Sequence, residues 1–322
     1  MIVNNAIYVD GKRVAKPATL AETTELNDSL KGMAWIGLFE PTEAEFQAVA
    51  DEFDLHELAV EDAVQAHQRP KIERYGSILF VVLRTAHYVD PKEIIDFGEI
   101  HLFIGKDFVI SVRHGDYPDL NQVRLRMENN PELLALGPPA VLYGIMDQVV
   151  DEYHQVVMGL EHDIDEIEIE VFGGEPDVSK RTYSLAREVI DFQRAVAPLN
   201  GMLSSLCDGR IGLETVATLV AYFRDVQDHA AQVHEQVQAY AGGVEAAGAA
   251  EEILGGELAQ QPHPVGVHAD DIGVPVAHEV LDGVHGQPPG RGDVAPGAED
   301  LQEPRRRPLG LVQHGLGQGA VA

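Results

Sequence analysis

Nine apolar residues from Tyr143 to Val171 fall alternately three and four positions apart: Tyr143, Met146, Val150, Tyr153, Val157, Leu160, Ile164, Ile167 and Val171. This spacing draws one apolar stripe along a helix for about four heptads, and such a stripe has to be covered by another element. "GGEP" (Gly173–Pro176) breaks the pattern, and Leu185, Val189, Phe192, Val196, Leu199, Leu203 and Leu206 then resume it. The pattern predicts two long antiparallel helices joined by a tight Gly-Gly-Pro turn. A third helix is predicted over Leu213–Tyr240, with a seam of Leu213, Val216, Val220, Phe223, Ala230, Val233, Val237 and Tyr240.

Residues 1–136 read differently, as mixed α and β. Ile2–Val9 and Val14 flank Asp10-Gly11, a hairpin dipeptide. "GMAWIGLFE" (Gly32–Glu40) predicts a strand stopped by Pro41. "PTEAEFQAVADEF" predicts a helix capped at Thr42, and His56–Gln65 a shorter one. "SILFVVLRTAHYV" (Ser77–Val89) is rich in β-branched and aromatic residues and predicts a strand. "GEIHLFIG" and "DFVISVRHG" predict a hairpin. Glu99, His101 and Phe103 would share one face of its first strand, and Ile100, Leu102 and Ile104 the other.

The formal net charge of -30 disfavours nucleic acid and anionic headgroups as partners and favours cations. One cysteine, Cys207, leaves no internal disulfide framework. The N-terminal stretch shows no charged start followed by an apolar core, so no signal peptide is expected. No phosphate-binding or dinucleotide-binding glycine loop occurs, and Cys207 has no evident base beside it, so an enzyme is not expected. His114 and Asp116 in "RHGD" are two ligand types at short spacing, which a loop with polar caps explains better than a metal site does. The acids of "EHDIDEIEIE" (Glu161–Glu170) are expected on the outer faces of their helix.

Three further groups of acids suit a hard divalent cation, which binds through few carboxylates and keeps several waters. Asp225, Asp228 and His229 stand at i, i+3 and i+4 on one side of a helix. Glu61 and Asp62 are neighbours on a short helix, and Asp147 follows the seam residue Met146. Spacing alone leaves solvated acids as the ordinary reading of each.

"LAVEDAVQAHQRPKIERYG" (Leu58–Gly76), "VVLRTA" (Val81–Ala86), "YGIMDQVVDEY" (Tyr143–Tyr153), "DIDEIE" (Asp163–Glu168) and "AYFRDVQDH" (Ala221–His229) together resemble the CorA family of magnesium and cobalt channels. The resemblance covers about residues 1–240. It implies an α+β fold: an N-terminal αβ domain with a mixed sheet (1–136), then long antiparallel coiled-coil helices and a long stalk helix (137–240). It also implies a homopentamer in the inner membrane with residues 1–240 cytosolic. Regulatory Mg²⁺, with Co²⁺ as a further candidate, would bind between neighbouring subunits and hold the channel closed. The acids matching those sites are Asp62 and Asp225 at the main intersubunit site, with Glu61, Asp147 and Asp228 around a second.

Residues 241–322 depart from that family. They contain 16 Gly and 8 Pro but no Phe, Trp, Tyr, Lys, Met, Ser, Thr, Asn or Cys. Neither a membrane span nor the family's Gly-Met-Asn signature occurs in the chain. A low-complexity, disordered tail is expected, after residual helix around Glu245–Leu258, and a reading-frame shift near Tyr240 in a GC-rich gene would produce text of this kind. As written, the chain is expected to be soluble. The competing reading is a soluble acidic coiled-coil module that docks a basic partner.

Overall fold

The computed structural model describes residues 1–173, 178–211 and 217–259. The Gly-Gly-Pro turn from residue 174 on, the seam positions Leu213 and Val216, and residues 260–322 lie outside the described residues.

Seven strands form one mixed sheet: β1 (Ile2–Val9), β2 (Lys12–Ala15), β3 (Met33–Phe39), β4 (Lys71–Tyr75), β5 (Ile78–Val89), β6 (Ile94–Ile104) and β7 (Phe108–His114). Their order is β2-β1-β3-β7-β6-β5-β4, and β3 and β7 run parallel while the other neighbours are antiparallel. At the β1–β2 turn, Asp10 and Gly11 both have positive φ, as the expected tight hairpin requires. The predicted β6–β7 hairpin pairs Glu99 with His114 and Ile104 with Val109.

Helices cover both faces of the sheet. Ile36, Phe80, Phe103 and Ile110 point to one face, where Phe46 and Val49 of α2 (Glu43–Glu52) and Ala59 and Ala63 of α3 (Glu57–Gln65) complete a core. Trp35, Val81, Ile100 and Leu102 point to the other and join the core of the long helices. Burial on both sides explains why β5 opens as an unbroken apolar run instead of alternating. Three helices elude the periodicity: α1 (Leu20–Leu30), α4 (Leu120–Glu128) and α5 (Pro131–Leu134). α1 is capped by the Thr19 hydroxyl, which accepts from Glu22 N–H, but buries only Thr23 and Asn27 and so carries no apolar stripe.

The long elements are α6 (Pro138–Gly173), α7 (Val178–Cys207) and α8 (Ala217–Ala259). Every seam residue predicted from Met146 to Val171 and from Leu185 to Leu206 is buried. The third seam needs one correction. Leu219, Phe223, Val226, Ala230, Val233 and Val237 are buried, whereas Val220 is only half-buried. Among the described residues the stripe runs through Leu219 in place of Val220 and includes Val226, which restores an alternation of four and three. α8 runs on past Tyr240 to Ala259.

The acid run on α6 needs a second correction. Asp163 is only 2% exposed, with the Tyr88 hydroxyl 2.8 Å from each of its carboxylate oxygens. Its neighbours Glu161, Asp165 and Glu168 are exposed, as expected. The cause is β5. Its end reaches α6 at Gly159, where even a methyl group would sit 2.4 Å from the Tyr88 ring, so the tyrosine lies along the helix and meets the carboxylate one turn on.

Candidate cation site

The α3 acids are positioned by the helix's buried face. Ala59 and Ala63 lie against the sheet, which leaves Glu61 exposed and Asp62 half-buried. Gln65 donates to Glu61 across one turn at 3.1 Å. Glu61 also stands on the rim of a cleft of about 620 Å³ between α2 and α3, together with Glu43, Asp51 and Asp54.

α3 ends abruptly. Ala66 and His67 both take positive φ, and the chain doubles back through Gln68 into β4. Gln68 N–H donates to Glu99 Oε2 at 3.2 Å, and the fully buried His101 places Nε2 3.0 Å from the same oxygen. Burial pushes the Glu99 carboxyl up, but His101 and the Gln68 amide outweigh it and hold it below its ordinary pKa. The return brings Lys71 against α3. Its ammonium lies 2.7 Å from Asp62 Oδ2 and 2.8 Å from Glu73 Oε2. Burial pulls the Lys71 pKa down, but the hydrogen bonds to those two carboxylates turn the net shift upward.

The second group of acids lies on α6 and α8. Asp147 is 19% exposed at its side chain and pairs with Arg126 at 3.1 Å. Arg126 also reaches Asp151 at 3.7 Å and donates to the Gly144 carbonyl at 2.9 Å. Burial raises the Asp147 pKa. Arg126 and His229 oppose the rise, while the charges of Asp151 and Asp225 add to it. Asp225, Asp228 and His229 are all exposed on α8. Beside them the Tyr143 and Tyr222 rings pack at 5.0 Å, and burial, with Asp147 next, pushes the Tyr143 hydroxyl up to about 12.

The fold sets Asp147 on α6 and Asp225 and Asp228 on α8, and keeps Glu61 and Asp62 on a helix covering the opposite face of the sheet. Among the described residues no three His, Cys, Asp or Glu side chains stand close enough together to hold a metal ion. The donors are carboxylate oxygens, which fits a hard, largely hydrated dication, and the Lys71 ammonium already places a positive charge on Asp62. Lys71 and Arg126 had no spacing signal in the sequence, because each meets its acids through the fold. His114 is not in a ligand cluster: its Nε2 lies 2.9 Å from the Ala63 carbonyl. The thiol of Cys207, half-buried at the end of α7, is pushed up by burial.

The profile of the CorA-like Mg²⁺ transporter protein family matches residues 31–248, more than half of the chain. The chain belongs to the CorA-like Mg²⁺ transporter family. Two curated relatives are 30% identical to it. The protein YfjQ of Bacillus subtilis aligns over 208 residues, 63% of this chain and 63% of its own. The cobalt/magnesium transport protein CorA of Thermotoga maritima aligns over 197 residues, 60% of this chain and 56% of its own. The chain therefore spans less than two thirds of the length of these CorA-like relatives. Two solved structures share the fold. Full-length CmaX superposes with a TM-score of 0.65 at 17% identity, over 80% of this chain and 79% of that one. The soluble domain of CorA from Methanocaldococcus jannaschii gives a TM-score of 0.62 at 13% identity, over 77% of this chain and 96% of that domain. Among the described residues, no helix is long and apolar enough to cross a membrane.

Proposed function

We propose that residues 1–240 are the cytosolic, divalent-cation-sensing part of a CorA-like magnesium and cobalt channel. Mg²⁺, with Co²⁺ as an alternative, binds between two copies: Asp62 of one copy and Asp225 of the next form the main site. Glu61, Asp147 and Asp228 surround a second. The supporting observation is the separation just described. Within one chain α3 packs on one face of the sheet and α8 belongs to the core on the other, which supports reading a shared ion as one bound across an interface. Facing carboxylates repel, and a bound dication turns that repulsion into attraction. Falling Mg²⁺ then loosens the assembly, a pentamer in this reading. Conduction requires membrane spans, and the described helices supply none.

The test is the melting temperature of the full chain against MgCl₂ at constant ionic strength. Mg²⁺ should raise it at fixed protein concentration, and Asp62→Ala or Asp225→Ala should each abolish the rise. A melting temperature indifferent to Mg²⁺, with salt-sensitive capture of one basic partner, would return the chain to the acidic docking module.

A further inference from the structure

We infer that Lys71 is a built-in competitor of the regulatory cation: its ammonium occupies Asp62 at low Mg²⁺ and must move to Glu73 before a dication can take its place. The inference rests on reading Asp62 as a cation ligand. The geometry supplies two seats for one charge. Lys71 Nζ bridges Asp62 Oδ2 at 2.7 Å and Glu73 Oε2 at 2.8 Å, and the Tyr75 hydroxyl fixes the Glu73 oxygen from its other side at 2.9 Å. An ammonium 2.7 Å from Asp62 Oδ2 repels a dication on the same carboxylate, so the two compete for it.

The lysine is not a freely moving surface group. The left-handed residues Ala66 and His67, with the Gln68 amide tied to Glu99, fix where β4 returns along α3. The Lys71 and Asp62 side chains are 28% and 23% exposed, so water screens their pairing only in part. Displacement leaves Lys71 paired with Glu73, so the exchange costs one of two partners. Such competition moves the concentration at which the site fills by a modest factor without closing the site.

Two substitutions should therefore act in opposite directions. Lys71→Gln removes the competitor and should lower the half-saturating Mg²⁺ about two- to fivefold, the range of one partly exposed ion pair. Glu73→Gln removes the second seat, commits Lys71 to Asp62, and should raise it by a similar factor. In a Lys71→Gln background, Glu73→Gln should have no further effect. Lys12→Gln, which makes the same charge change on exposed β2, is the control for general attraction and should leave the midpoint in place.

The experiment is the Mg²⁺ titration of melting temperature on the full chain, with Asp62→Asn alongside. Opposite shifts for the two variants, with Asp62→Asn silent to Mg²⁺, support the competitor. If Asp62→Asn is silent but Lys71→Gln behaves like Lys12→Gln, the competitor is overturned and the Asp62 site stands. If Asp62→Asn binds like the parent, the site reading fails and takes the competitor with it. Should Lys71→Gln not fold, Glu73→Gln still decides: an unchanged or lowered midpoint overturns the inference.

Discussion

Asp163 is an ionisable group almost out of water, with the Tyr88 hydroxyl donating to its carboxylate. Burial raises its pKa above the ordinary carboxylate value, and the Tyr88 hydrogen bond offsets this only in part. The folded chain then binds that proton more tightly than the unfolded chain does. Stability from this group is full below the ordinary carboxylate pKa of about 3.9 and is lost as pH rises through the folded value. Asp163→Asn should therefore match or exceed the parent in urea midpoint at pH 7, and the difference should shrink in acid. Tyr88→Phe leaves the buried carboxylate without its donor and should cost about 1–3 kcal/mol at pH 7 by the same measurement. Asp163 also shows where the sequence stops being legible. Its place in an acid-rich run marks it as solvated, and the tertiary contacts that bury it, Tyr88 of β5 among them, have no signal in that run.

The helices were legible where one face repeats, and less so where it does not. The stripes of α6 and α7 appear in order in the sequence because each helix buries one continuous face, from Met146 to Val171 and from Leu185 to Leu206, while Tyr143 is only half-buried. α8 is read one residue late at its start because Leu219 and Val220 are adjacent and equally apolar, and only packing on α6 and α7 chooses between them. Val226→Ala should thus cost about 1–3 kcal/mol in chemical denaturation, and Val220→Ala well under about 1. Reversal of those two costs would restore the earlier register. β4 is short and polar on paper, and it matters because it carries Lys71 back to α3. Of the candidate site, the acids were visible as residue types, whereas the basic partners Lys71 and Arg126 lie nine residues from Asp62 and 21 from Asp147, beyond the reach of helical spacing. Gly159→Ala tests the junction of α6 with β5: its methyl cannot fit beside Tyr88 without movement, so the melting temperature should fall.

The chain shares the fold of a CorA soluble domain, and no helix in its described part is long and apolar enough to cross a membrane. Purified and reconstituted in liposomes, the 322-residue chain should show no Mg²⁺-dependent uptake; flux above empty liposomes would contradict that. Resequencing the gene across codon 240 and translating all three frames should uncover two apolar spans and Gly-Met-Asn in another frame. Their absence from every frame would make residues 241–322 the genuine continuation of the chain. The claim that the site is shared between copies has a sharper test. The Asp62→Ala and Asp225→Ala chains are titrated with Mg²⁺ in sedimentation velocity, first separately and then mixed. A shared site predicts no Mg²⁺-induced association by either variant alone. It predicts recovered association in the mixture, where Asp62 from one chain can meet Asp225 from the other. A mixture as silent as its components, or single variants that associate like the parent, would contradict the shared site.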